Sequence, residues 1–134
     1  MAMKSLDTNI ALRLLLQDVP QQLDKVVALI DGSKPNSLSV ADAVFFECVW
    51  ILSGKMYNFD RSLIGKLLIQ IADIPQINCN RAMLIKAVPL YVNDPQISFI
   101  DACLTVYAEL NGATPLLTFD KKLASALPKT TAIL

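Results

Sequence analysis

The chain contains no histidine. That absence removes Ser-His and Cys-His nucleophile pairs, histidine-ligated zinc and imidazole general bases, so chemistry here falls to carboxylates and a metal. Cysteine is almost as scarce. Cys48, Cys79 and Cys103 are odd in number, lack metal-ligand spacing and each sit among apolar residues, which reads as reduced structural thiols. Four glycines in 134 residues form no Gly-rich phosphate loop, which argues against nucleotide binding of that kind. Net charge is missing too: 12 Lys plus Arg balance 12 Asp plus Glu, so any role with nucleic acid must rest on a local site. Long apolar runs are absent, because Glu47 and Asp101 break them short of the ~18 residues that a spanning helix needs. Asp7 and Arg13 interrupt Met1 to Leu16, and no small-residue cleavage site follows, so this stretch does not read as a signal peptide. A cytoplasmic protein without membrane contact is expected.

What the chain does have is apolar mass. Hydrophobic residues make up 54% of it and the mean hydropathy is +0.46, more than one core of this size requires. The length fits a single domain over residues 1–134, and the excess apolar surface predicts a buried subunit interface. Lys4 to Leu6 reads as the end of a strand, and Asp7-Thr8-Asn9 as capping chemistry for a helix over Ile10 to Leu16. Asp18 and Pro20 start a second helix, with Leu23, Val26, Val27 and Ile30 at helical spacing up to Gly32. Asn36 to Val40 is β-like, and Asp42 is expected to cap a helix reaching about Ser53.

Asp60 caps the next helix, whose Leu63, Ile64, Leu67, Leu68 and Ile71 form a stripe for core or interface packing. Ile74 to Cys79 reads as a third strand. Asn80 opens a helix with Leu84, Ala87, Val88 and Tyr91 on one face, ended by Asn93-Asp94-Pro95. A helix from Ile97 closes at Gly112, with Asp101 one to two turns inside. Pro115 to Thr118 is a strand, a brief helix follows Asp120, and Thr131 to Leu134 is the last strand. Short strands alternating with helices predict an α/β fold with a short, mostly parallel central sheet flanked by helices.

Four acids stand out in that layout. Asp7 and Asp120 follow strands, where open α/β sheets keep their sites, and Glu47 and Asp101 are lone charges in apolar helices. Each has a plainer reading: Asp7 as an N-cap only, and Glu47 or Asp101 as a buried ion-pair partner of Arg13, Arg61 or Arg81. If the four converge, mutual repulsion is costly unless a cation is bound, and oxygen-only ligands favour Mg²⁺ or Mn²⁺ over zinc. Such a site suits phosphodiester hydrolysis by a metal-activated water.

In order and spacing these residues resemble the PIN-domain ribonucleases, and in size and layout especially the VapC-type toxins of toxin–antitoxin pairs. SLDTNIAL with Asp7, FFECVWIL with Glu47, SFIDACL with Asp101 and LLTFDKKL with Asp120 carry the resemblance over essentially the whole chain. It implies a Mg²⁺- or Mn²⁺-dependent endoribonuclease in which those four acids hold metal and act in catalysis. It also implies a homodimer and a cognate antitoxin that blocks the acidic cleft. By the same resemblance Asn9 and Thr118 are supporting groups, while Ser98 stands where many relatives have a further acid. Asp42, Asp73 and Asp94 match no family acid and read as capping and turn residues. Lys121 and Lys122 read either as phosphate contacts or as a solvated charge pair.

Two readings from other classes compete. A catalytically degenerate relative would bind RNA or a protein without cutting. A receiver-like or haloacid-dehalogenase-like domain would need paired acids after the first strand, where Asp7 stands alone and Asn9 occupies the second position.

Overall fold

A computed structural model of the chain describes residues 3–134. The fold is α/β, with seven helices and short parallel strand pairs among those residues. Its contacts divide into two units, one ending at Asn80 and one from Arg81 to Leu134.

In the first unit, β1 (Lys4–Ser5), β2 (Leu38–Ser39) and β3 (Ile77–Asn78) form a parallel sheet in the order β1-β2-β3, with Lys4 opposite Leu38 and Leu38 opposite Ile77. The strands are shorter than Asn36 to Val40 and Ile74 to Cys79 suggested. Regular ladder pairing covers two residues of each, although Asn36 N–H and Ser37 N–H also donate to the Pro75 and Gln76 carbonyls at 2.9 and 3.0 Å, and Asn36 is in a left-handed turn conformation with φ 60°. Helix α1 (Thr8–Leu16) packs against α2 (Pro20–Asp31), α3 (Asp42–Ser53) and α4 (Arg61–Ala72). Asp60 caps α4, its Oδ1 accepting from Leu63 N–H at 2.8 Å. The α4 stripe is realised as Ile64, Leu68 and Ile71, all buried, with Lys66 and Gln70 in solvent and Leu63 40% exposed. Each such aliphatic side chain contributes roughly 1.5–3 kcal/mol through burial.

Helix α3 departs from expectation at its start. Asp42 is its first residue, and the N-cap is Ala41, which makes no side-chain capping bond. The Asp42 carboxylate instead accepts from Asn80 Nδ2 at 3.5 Å. The face made by Val44, Phe45, Cys48, Val49 and Leu52 is buried, whereas Ala43, Glu47 and Trp50, spaced four and three apart, are exposed.

In the second unit, α5 (Arg81–Asn93) and α6 (Phe99–Leu110) form the main packing pair. Met83, Leu84, Ala87, Val88 and Tyr91 are buried on α5, and Phe99, Ala102, Cys103 and Val106 on α6. Tyr91 and Phe99 meet edge to face, 5.6 Å between ring centres. Pro89 lies inside α5 on its exposed side, where a lost backbone hydrogen bond is least costly because water replaces it. Gly112, at φ 65°, turns the chain out of α6 in a conformation that side-chain-bearing residues avoid. Strands β4 (Leu116–Thr118) and β5 (Thr131–Ile133) pair in parallel, and α7 (Lys121–Ala126) lies against both.

Of the three cysteines, Cys48 and Cys103 are buried and Cys79 is half-buried, and none is in a disulfide. Burial, with the Glu47 charge adding to it, pushes the Cys48 thiol up to about 12. No helix among the described residues is long and apolar enough to cross a membrane.

Candidate active site

Asp7 sits where β1 gives way to α1. Its backbone is extended and its Oδ1 accepts from Ile10 N–H at 3.0 Å, so it is the N-cap of α1. One carboxylate oxygen is thereby committed to the helix. The other has no hydrogen-bond partner among the described residues, and the residue is exposed. Asn9, in the first turn of α1, is exposed beside it and with Asp7 lines a cavity of about 340 Å³ between α1 and α2.

Glu47 lies midway along α3, which packs on α1. It is not the buried lone charge that its apolar neighbours suggested, since it shares a solvent-facing stripe with Ala43 and Trp50. Its exposure accounts for the absence of a counter-ion. Arg13, one of the partners considered for it, pairs with Asp18 at 3.3 Å.

Ser98 and Asp101 belong together in the second unit. Ser98 is the N-cap of α6, its Oγ accepting from Asp101 N–H at 3.1 Å, and Asp101 lies half-buried in the first turn. That is nearer the helix start than the one to two turns expected, because the helix begins at Phe99, with Ile97 in the turn from Asp94 and Ser98 extended. Thr105 Oγ1 donates to the Asp101 carbonyl at 2.9 Å, closing the turn from below. Asp120 repeats the geometry of Asp7: as N-cap of α7, its Oδ1 accepts from Lys122 N–H at 2.9 Å and Leu123 N–H at 3.1 Å. Thr118, at the end of β4, accepts from Asp120 N–H through Oγ1 at 3.0 Å, which orients the acid.

Three of the four acids therefore stand at helix N-termini, where unsatisfied N–H groups and the helix dipole favour negative charge. Within either unit, none of the four is in an ion pair among the described residues. Their oxygens suit a hard divalent cation. Asp7 and Glu47 belong to the first unit, Asp101 and Asp120 to the second. Among the described residues neither unit alone groups three or more His, Cys, Asp or Glu side chains so as to hold a metal ion. Of the other acids read as capping or turn residues, Asp42 does not cap α3, whereas Asp73 and Asp94 act as expected. Asp73 closes α4, and Asp94 makes a turn, its Oδ1 accepting from Gln96 N–H at 2.9 Å.

The sequence model of the PIN domain family matches residues 4–126, a span that includes all four acids and most of each unit. The chain belongs to the PIN domain family. PIN domains are generally a nuclease fold, and its members typically depend on divalent metal ions. No curated protein matches the chain.

Sequence reading gave no role in the site to residues on the α2 side of the Asp7 cavity, Gln22 and Lys25, and considered Arg13 only as an ion-pair partner. A signal was present. Arg13 follows Asn9 by four residues and so shares its helix face, and Asp18 lies close enough in sequence to fix the guanidinium.

Proposed function

We propose that this PIN domain is a Mg²⁺- or Mn²⁺-dependent endoribonuclease and the toxin of a VapC-type toxin–antitoxin pair. One observation carries the reading: Asp7 and Asp120 each spend one carboxylate oxygen on a helix start and keep the other without a protein partner. Asp7, Glu47, Asp101 and Asp120 would hold the ion. When bound, the ion supplies a water of lowered pKa and neutralises charge on the phosphate. The chain's own contribution is placement. Helix N-termini hold Asp7, Asp101 and Asp120 in place, Thr118 sets the orientation of Asp120, and Ser98 anchors the turn that carries Asp101.

Asn9, exposed two residues beyond the α1 cap, would position the substrate or a metal-bound water. The cognate antitoxin would cover these acids. Exposed Trp50 and Met56, 80% and 86% accessible, fit a homodimer interface, and the cytoplasm is the compartment in which such a toxin meets RNA.

The test is cleavage of a mixed RNA pool with Mg²⁺ or Mn²⁺ by the wild type and by Asp101→Asn. The wild type should cut internally, and the variant should fall to the level of a protein-free control while keeping its circular dichroism spectrum. Equal cleavage by both, or none by the wild type with either ion, would overturn the reading.

A further inference from the structure

The cavity between α1 and α2 contains a side chain that the fold leaves incompletely satisfied. Arg13 reaches it from α1, with Nη1 held by Asp18 at 3.3 Å, while its buried Nε–H has no acceptor among the described residues. An unpaired buried donor costs on the order of 1–3 kcal/mol. A small turn of the guanidinium into the cavity would give that N–H, together with an Nη2 N–H, to a ligand presenting two acceptors on one edge.

The surroundings define the ligand further. Ile10, Val26 and Leu29 supply apolar walls, and Asn9 and Gln22 add amide groups. The volume of about 340 Å³ falls in the range of small-molecule sites and admits a purine nucleoside. The charges balance, with Arg13 and Lys25 set against Asp7 in the cavity and Asp18 on Arg13, so a neutral ring fits better than a phosphate dianion. Unpaired RNA bases are read in this way, splayed out against side chains and hydrogen-bonded on their edges. Of the two purines, guanine presents two acceptors, O6 and N7, side by side, whereas adenine pairs its N7 with a donor.

We propose that this cavity receives an unpaired guanine flanking the phosphodiester that is cut, and that Arg13 reads its O6 and N7. The proposal rests on the assignment of Asp7 to the metal-binding acids, since Asp7 lines the same cavity and would bring the sugar-phosphate of that nucleotide to the reacting centre. Arg13 is a specificity-determining residue in this scheme and takes no part in the bond cleavage.

The test needs neither metal nor cleavage, so its failure is distinguishable from failure of the nuclease assignment, which the RNA-pool assay reads separately. The metal-free full chain is titrated with 5′-GMP, 5′-AMP and inorganic phosphate, following arginine Nε–H and backbone resonances by NMR. GMP should bind about tenfold or more tightly than AMP, the discrimination of one bidentate base contact, and should shift the α1 and α2 resonances lining the cavity. Arg13→Lys, which keeps the charge but not the fork, should bring GMP down to the AMP level. Equal binding of GMP and AMP, phosphate binding as strong as GMP, or no binding by any of the three at millimolar concentration would each overturn the proposal. The wild-type comparison decides even if the variant fails to fold.

Discussion

Asp7 caps α1 and, under the proposed function, also holds metal, and two substitutions separate these roles. As N-cap, its Oδ1 holds Ile10 N–H at 3.0 Å, a bond that Asn can reproduce and Ala cannot. Asp7→Ala should therefore cost about 1 kcal/mol, and Asp7→Asn only the loss of a charge–dipole interaction of ~0.3–1 kcal/mol. At this chain length 1 kcal/mol corresponds to roughly 4 °C in Tm. As a metal ligand, Asp7 should make stability depend on the ion. A hundredfold excess of Mn²⁺ over Kd adds about 2.7 kcal/mol to the folded state, or roughly 10 °C at the same conversion.

The assay is a thermal melt of the wild type and both variants in EDTA and in Mn²⁺. Wild type should rise steeply with the ion. Asp7→Asn should start near the wild type in EDTA and respond little, and Asp7→Ala should start lower and respond little. An Asn variant that gains as much from Mn²⁺ as the wild type would show that Asp7 is a cap alone and would refute its place among the ligands.

Two further predictions concern neighbouring residues. Because the folded chain holds the Cys48 thiol up at about 12 against an ordinary 9.0, the native state keeps its proton where the unfolded chain loses it. Stability should therefore fall as pH rises through that window, with a slope of up to ~1.4 kcal/mol per pH unit, and denaturant melts of Cys48→Ala should show a shallower slope; equal slopes would refute the assignment. Ser98→Ala should lose about 1 kcal/mol of stability with the α6 cap, whereas Ser98→Asp should keep the cap and strengthen the Mn²⁺ response by adding a carboxylate beside Asp101; calorimetry with and without the ion reads both.

Local chemistry was legible where periodicity or capping was unambiguous. The buried faces of α4 and α5 follow the spacing of Ile64, Leu68 and Ile71 and of Leu84, Ala87, Val88 and Tyr91, and the caps at Asp7, Asp60 and Asp120 follow from residue type. In α3 the signal failed. Residues 43–46 and 48–52 are all apolar, so periodicity could not tell that Glu47 and Trp50 face solvent. Strand pairing was equally hidden. Two-residue strands have no alternation to read, and β1, β2 and β3 find one another across stretches of more than thirty residues through contacts that no local pattern encodes. The start of α6 was misplaced because Ile97-Ser98-Phe99 fits extended and helical chain alike, and the Ser98 cap decides between them.

The capping role of Asp7 and Asp120 has an evolutionary consequence. Asn or Ser at either position would start the helix about as well, so the scaffold asks for a short polar side chain there and gains only ~0.3–1 kcal/mol from its charge. Under the proposed function, a lineage could exchange either carboxylate for an amide by a single base change and inherit a stable, inert protein. Inactivation is thus an easily reached neighbour of this sequence, and a domain of this build can become a binding scaffold without first having to be refolded.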